Sequence, residues 1–345
     1  MKARTGARPV NLTVLRPGVL STVQDRGRHG LQHLGVVTGG AMDLIAHDIA
    51  NALVGNPADS ATLELTLLGP ELQFADEALI ALCGARFDAS LDGSRLPLDR
   101  PVLVRAGSRL ALGRALRGCR GYLAIAGGIL VGQVLGSRST YLPASFGGLA
   151  GRVLRAGDEI PLADNAPALA RQRFEALGPG VDAGGGMRSV RWFAPPLTVI
   201  NHANHQFAVL PGRHYDRFTA KAQDALYESS WRVSPDSNRM GFRLTGPKLE
   251  TDGKLEIISE PTCLGTVQVP ANGTPIVLMA DHQTTGGYPK IAEMASVEIP
   301  AFAQLAPGEE LRFTRCTLEQ ARERRIAART VLAAVMRSIA TEYAK

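Results

Sequence analysis

Asp281, His282, Gln283, Thr284, Thr285, Gly286, Gly287, Tyr288, Pro289 and Lys290 leave the apolar run Ile276 to Ala280 as one polar, glycine-rich segment. Hydroxyls, a carboxamide, open backbone N–H groups and an ammonium crowd one turn, which suits a small anionic or amide-bearing ligand. A Gly-Gly loop of this kind also serves as a plain exposed turn, and both readings stand on the residues alone. A second group, Gln24, Asp25, Arg26, Arg28 and His29, lies among Gly18, Gly27 and Gly30. An Asp beside guanidinium groups keeps its charge and can aim an Arg fork at a carboxylate or phosphate. The alternative is that Asp25 clamps a tight turn. Glu64, between Leu63 and Leu65, would be costly to bury alone, so it faces solvent or, as we favour, meets an Arg as a structural partner.

Several common engines are absent. The sequence has no G-x-x-x-x-G-K-[ST] loop, no G-x-G-x-x-G opening a helix, no G-x-S-x-G elbow, no H-E-x-x-H and no Ala-Met-Lys-Met segment for covalent biotin. A nucleotide or biotin must therefore come from another chain or rest on an unfamiliar surface. His202, His205 and His214 lack a carboxylate or Cys at a recognised spacing, so no metal is assigned. Cys83, Cys119, Cys263 and Cys316 are far apart, which points to reduced thiols in a cytoplasm, and Cys263 reads as inert. The net charge of +6 is spread without a run of like charges, which disfavours nucleic acid. No apolar h-region opens the chain and no run of eighteen apolar residues occurs, so neither export nor a membrane span is expected.

The elements that must position these residues are short. With 37 Gly, 21 Pro and 5% aromatics among 345 residues, tight turns between strands are favoured over long helices. Strand-like runs fall at Leu79 to Cys83, Pro101 to Val104, Arg109 to Leu112 and Tyr122 to Ala126, then at Glu256 to Ser259, Thr266 to Val269, Ile276 to Met279 and Leu311 to Phe313. The glycine-rich stretch 177–191 reads as a flexible linker between a first domain at 10–176 and a second at 192–345. Met42, Ile45, Ile49 and Leu53 predict a helix stopped at Gly55 and Pro57. A C-terminal helix begins at Thr317, where Thr317 and Gln320 have capping-box spacing, with Leu332, Val335, Met336 and Ile339 as its apolar stripe.

Many of these residues carry a resemblance. Pro17-Gly18, Thr22-Val23-Gln24-Asp25, Gly40-Ala41-Met42-Asp43, Leu63-Glu64, Gly69-Pro70, Leu135 to Thr140, Leu210-Pro211-Gly212, Ser237 to Gly241, Gln268-Val269-Pro270 and the Asp281 to Lys290 loop resemble, in order, the family that unites the C subunit of bacterial 5-oxoprolinase, KipA and the carboxyltransferase part of urea carboxylase. The resemblance implies a mainly β chain of two cyclophilin-like β-barrel domains with a few short helices and a C-terminal helix. It implies one of three functions: ATP-dependent opening of 5-oxo-L-proline beside KipI-like and LamB/YcsF-like partner subunits, biotin-dependent carboxyl transfer to urea or a similar small amide, or KipA-type binding to a KipI-like kinase inhibitor. The chain has no room for fused biotin carboxylase and carrier domains around the matching motifs, which favours the first. ATP with Mg is then expected, shared with the partners, and biotin only under the second. Arg213 departs from the family's usual Leu-Pro-Gly-Pro, and Arg191 to Gln206 is enlarged.

On the first function, Lys290, Arg28 and Arg239 are the expected charge stabilisers and Asp281 a further catalytic group. Gln24, Asp25, Asn238, Gln268, Gln283, Thr284, Thr285, Gly286, Gly287 and Tyr288 are expected to hold the amide, in a site drawing on both halves.

Overall fold

The computed structural model describes residues 11–198, 205–253, 255 and 257–345. The fold is mainly β, in two compact units that interleave along the chain. One comprises the described residues up to Arg26, Ile45–Pro196 and Val335–Lys345; the other comprises Gly27–Leu44 and the described residues of Leu197–Ala334. The stretch Gly27–Leu44 thus groups with residues far along the sequence, which no local pattern announces.

The first unit is an eleven-stranded sheet built around two long antiparallel strands, Ala78–Leu91 and Arg109–Ile125. Arg109–Ile125 runs unbroken where the sequence suggests two short runs. Irregular register at Gly84/Arg86, Arg86/Phe87 and Phe87/Ala89 bends the pair. That lets its first part pair with Glu71–Phe74 and its last part with Thr62–Thr66. Leu12, Leu63, Phe74, Leu82 and Leu123 are buried between its faces.

Residues 177–191 differ from the expected linker. Val181–Asp182 and Arg188–Ser189 pair with each other, and Arg188–Ser189 extends the sheet beside Val102–Val104. Gly184, Gly185 and Gly186 all have positive φ, and a Cβ on Gly185 would lie 2.5 Å from Leu91 O. The glycines supply a left-handed hairpin turn against the sheet, and composition alone does not separate that use from flexibility.

The helix expected around Ile45 spans Leu44–Leu53 and buries Ala46, Ile49 and Leu53. The C-terminal helix spans Leu318–Tyr343. Its capping box forms: Thr317 N donates to Gln320 Oε1 at 3.0 Å, and Gln320 N to Thr317 Oγ1 at 3.2 Å. Of its predicted stripe only Ile339 is fully buried.

The second unit holds a closed barrel. Its strands run in the order Gln206–Pro211, Lys290–Met294, Thr266–Gln268, Ile276–Leu278, Gly241–Thr245, Trp231–Val233 and Glu310–Arg315, and the parallel pairing of the last with the first closes the ring. Phe207, Trp231, Phe242, Phe302 and Phe313 fill it. The predicted strand at Glu256 to Ser259 does not form in its described part: Ile257 to Ser259 are irregular, Ile258 is exposed, and Glu256 is outside the described residues.

Candidate functional site

The Asp281 to Lys290 segment belongs to the second unit, and backbone hydrogen bonds anchor its start. Asp281 N donates to Arg239 O at 2.8 Å, and Gly39 N donates to the neighbouring Ala280 O at 3.1 Å. In its middle, Thr285–Gly286 forms a two-stranded ribbon with Glu260–Pro261. The segment then enters the barrel strand Lys290–Met294, where Lys290 lies across from Gln268. A Cβ on Gly286 would sit 2.7 Å from Gln268 Nε2. The ribbon backbone lies on the Gln268 carboxamide, and a side chain at 286 would push that carboxamide aside.

Asp281 and Arg239 form a bidentate ion pair, with Nε to Oδ2 and Nη2 to Oδ1 both at 2.9 Å. Their side chains are 2% and 4% exposed, and Arg239 Nη2 also donates to Gly40 O at 2.6 Å. Arg28 is buried as well. A Cβ on Gly39 would lie 3.5 Å from Arg28 Nη1 and 3.6 Å from Asp281 Oδ1, so Arg28 and Asp281 flank the same glycine. Three of the four residues expected to do chemistry thus gather in one buried cluster, whose charges hold the segment Gly27–Leu44 against the root of the loop.

Lys290 stands in a separate cluster. Its Nζ donates to Pro261 O at 2.6 Å and lies 3.0 Å from Glu260 Oε1. Arg213 Nη1 reaches Glu260 Oε2 at 2.9 Å, and His214 Nε2 stands 3.4 Å from Oε1. His214 Nδ1 accepts from Lys290 N at 3.2 Å, which fixes the proton of the neutral ring on Nε2, facing Glu260. The hydrogen bond from Lys290, then its charge and that of Arg213, hold the Glu260 carboxyl below the usual range, while burial pushes His214 down toward its neutral form. Close backbone contact places this group: a Cβ on Gly212 would lie 2.5 Å from Lys290 O, and His214 N donates to Lys290 O at 3.0 Å.

Gln268, paired with Lys290 across the strands, meets Gln283 in a long contact of 3.5 Å from Gln283 Nε2 to Gln268 Oε1. Gln268 is 1% exposed, and its Nε2 has no partner. Thr284 uses its carbonyl on Thr262 N at 3.0 Å, while Thr285 is exposed. Gly287 and Tyr288 line a neighbouring cleft of about 580 Å³ with Lys248, Val269 and Asn272; neither Lys290 nor Glu260 lines it. Asn238 is exposed and caps its own turn, accepting from Met240 N at 2.8 Å. His282 is buried beside Thr262, with its pKa lowered by desolvation. Among the described residues no group of acids, His and Cys could hold a metal; His202 lies outside them.

Gln24 and Asp25 belong to the first unit. Asp25 Oδ1 accepts from Ser137 Oγ and Ser139 Oγ, each at 2.5 Å, and Oδ2 accepts from Arg138 N at 2.5 Å. Gln24 Nε2 donates to Thr140 O at 3.2 Å. These three contacts fit the turn-clamp reading of Asp25. Glu64 accepts from Tyr122 Oη at 2.8 Å.

Sequence reasoning passes over Glu260 and weighs His214 only as a metal ligand. The first stands three residues before Cys263, where the thiol is the more conspicuous group, and the second follows His202 and His205, where the His spacing suggests a metal. Arg213 stands out only by its departure from the family pattern.

A mainly β chain with this two-unit organisation and polar barrel loop has clear relatives. The family model for the carboxyltransferase domain, subdomain A and B, matches residues 34–315, and the chain belongs to that family. It is 40% identical over 310 residues to the C subunit of 5-oxoprolinase from Escherichia coli (strain K12), covering 90% of this chain and 93% of that protein. It is 37% identical over 308 residues to the C subunit of 5-oxoprolinase from Haemophilus influenzae, covering 87% and 90%. The crystal structure of the Kluyveromyces lactis urea amidolyase superposes with a TM-score of 0.84 at 30% identity; 96% of this chain is covered, which spans 20% of that much longer one. These relatives are enzymes or enzyme subunits.

Proposed function

We propose that this chain is the C-type subunit of an ATP-dependent 5-oxoprolinase, opening 5-oxo-L-proline to L-glutamate with KipI-like and LamB/YcsF-like partners in the cytoplasm. Similarity over nearly the full length of two 5-oxoprolinase C subunits supports it. The observation that carries it is the buried Lys290 beside the unpaired Gln268 Nε2: an ammonium and an amide donor on one face of a barrel strand pair. A five-membered lactam bearing one carboxylate needs such partners.

Resonance makes the lactam carbonyl a poor electrophile, and ATP supplies the phosphoryl group that activates its oxygen. In this chain Gln268 Nε2 orients the ring amide, and Lys290, which holds the substrate anion beside it, adds its positive field against the negative charge that grows as the ring carbon is attacked. Arg239 and Asp281, with Arg28, hold the loop that carries these groups. Two cations, Lys290 and Arg213, face the single carboxylate of Glu260, with His214 neutral. One surplus positive charge suits a monoanionic amide and not a magnesium triphosphate, so we assign the nucleotide to the partner subunits.

The superposition with urea amidolyase favours a second reading, carboxyl transfer. Gln268 and Gln283 would then meet a urea or a biotin ureido group through the same carboxamides. Reconstitution separates the readings. 5-oxoproline-dependent ATP turnover should require this chain together with both partner types; carboxylated urea formed from bicarbonate and a biotinylated carrier, with no such turnover, would overturn the first.

A further inference from the structure

Glu260 is held on a short segment. It sits on the two-residue strand Glu260–Pro261, whose sheet partner among the described residues is Thr285–Gly286, outside the barrel ring. Oε2 takes Arg213 at 2.9 Å, and Oε1 takes Lys290 at 3.0 Å with His214 Nε2 at 3.4 Å. Lys290 also donates to Pro261 O. Across the strand pair, the wholly buried Gln268 Nε2 lacks a partner. Gln268 Nε2 is thus a buried donor left open on the residue paired with Lys290, and unpaired groups of this kind are normally eliminated from folded interiors.

A buried ammonium must keep an anion beside it or lose its charge to desolvation. Glu260 meets that need from within the chain. A ligand carboxylate can replace it in kind, with no change in net charge, provided that it also satisfies what Glu260 leaves open.

We propose that Lys290 and Arg213 form the carboxylate-recognition site of the substrate, and that Glu260 is an internal stand-in which the substrate carboxylate displaces. The inference rests on the 5-oxoprolinase reading and deepens it. The carboxylate takes Lys290 and Arg213, the lactam oxygen takes Gln268 Nε2, and Glu260 turns outward on its short ribbon. Arg213, 74% exposed in its side chain, is then a specificity residue that selects anionic amides over neutral ones.

Titration of the full-length chain, read from the side-chain nitrogen resonances of lysine and arginine, tests this. 5-oxoproline should shift both Lys290 and Arg213 and bind at least about tenfold more tightly than neutral 2-pyrrolidinone, the gain of one charge-assisted contact. Arg213→Ala should remove most of that preference and leave 2-pyrrolidinone binding unchanged. Glu260→Gln, close in shape, removes the competing anion and should tighten 5-oxoproline binding by about three- to tenfold. Equal binding of both lactams, no binding of either, or weaker 5-oxoproline binding by Glu260→Gln would overturn the proposal. The functional reading is judged separately, by ATP turnover in the reconstituted complex: turnover that persists with an unchanged KM in Arg213→Ala rejects the carboxylate site and leaves the reaction standing.

Discussion

Replacing Asp281 by Ala would leave Arg239 as a guanidinium 4% exposed and without its bidentate carboxylate, while its bond to Gly40 O remains. The two bonds lost are each 2.9 Å, in the bidentate arrangement that makes Arg–carboxylate pairs strong. Breaking one side of a buried pair costs about 3–5 kcal/mol, because the stranded charge stays buried. For a unit of this size, that corresponds to a fall in Tm of about 6–20 °C. Trp231, wholly buried in the same barrel, reports the transition by fluorescence, and Trp192→Phe removes the other tryptophan. Arg239→Met should lose a similar amount. The double variant Arg239→Met/Asp281→Ala should lose far less than the two single losses added, since it strands neither member of the pair; a coupling of at least about 2 kcal/mol is expected. Additive losses, or a single loss under about 1 kcal/mol, would refute the clamp. Asp281→Asn with undiminished stability and abolished turnover would instead place Asp281 in the chemistry.

Lys290→Met should lower 5-oxoproline-dependent turnover of the complex at least about 100-fold. Its urea midpoint should stay near that of the parent chain, because Glu260 keeps Arg213 and is partly open to solvent. Burial lowers the pKa of His282, so the unfolded chain takes the proton first as pH falls below about 6.5, and stability is lost from there downward. Thermal midpoints at pH 7.5 and 5.5 should therefore converge in His282→Asn relative to the parent; the raised carboxyls of Glu293 and Glu298 act in both chains and cancel. An identical pH slope would contradict this. Asp25→Ala, which strands two serine hydroxyls and a backbone N–H, should destabilise the first unit by about 2–4 kcal/mol in calorimetry.

Local features were legible in the sequence. The Thr317/Gln320 capping box and the Ile45, Ile49, Leu53 spacing fix helices through contacts within a few residues, and both formed. Features that depend on chain return were not. Nothing near Gly27–Leu44 shows that it packs with residues beyond 197, or that Arg239 Nη2 will meet Gly40 O. The glycines at 184–186 have the composition of a linker, and their left-handed backbone becomes visible only beside Leu91. Glu260 pairs with Lys290 because a two-residue ribbon folds over the barrel strand, a contact too brief to leave a pattern in sequence.

The acids near the expected chemistry differ in how well they are matched, and that difference separates scaffold from site. Asp25 has three short donors from one loop, and Asp281 has a bidentate guanidinium. Both are met in full by neighbours fixed in the fold, so a ligand reaching either would have to break contacts that it could not improve. Glu260 is met by Arg213 from an exposed side chain, by Lys290 at 3.0 Å and by His214 at 3.4 Å, and it sits on a two-residue ribbon outside the barrel. A ligand carboxylate there competes with a weak incumbent and inherits two cations already aimed at one point. Binding energy is largest where the protein alone leaves polar groups both buried and imperfectly paired. By that criterion we propose that the chemistry belongs at Lys290, with Arg28, Arg239 and Asp281 as the frame that keeps its loop in place.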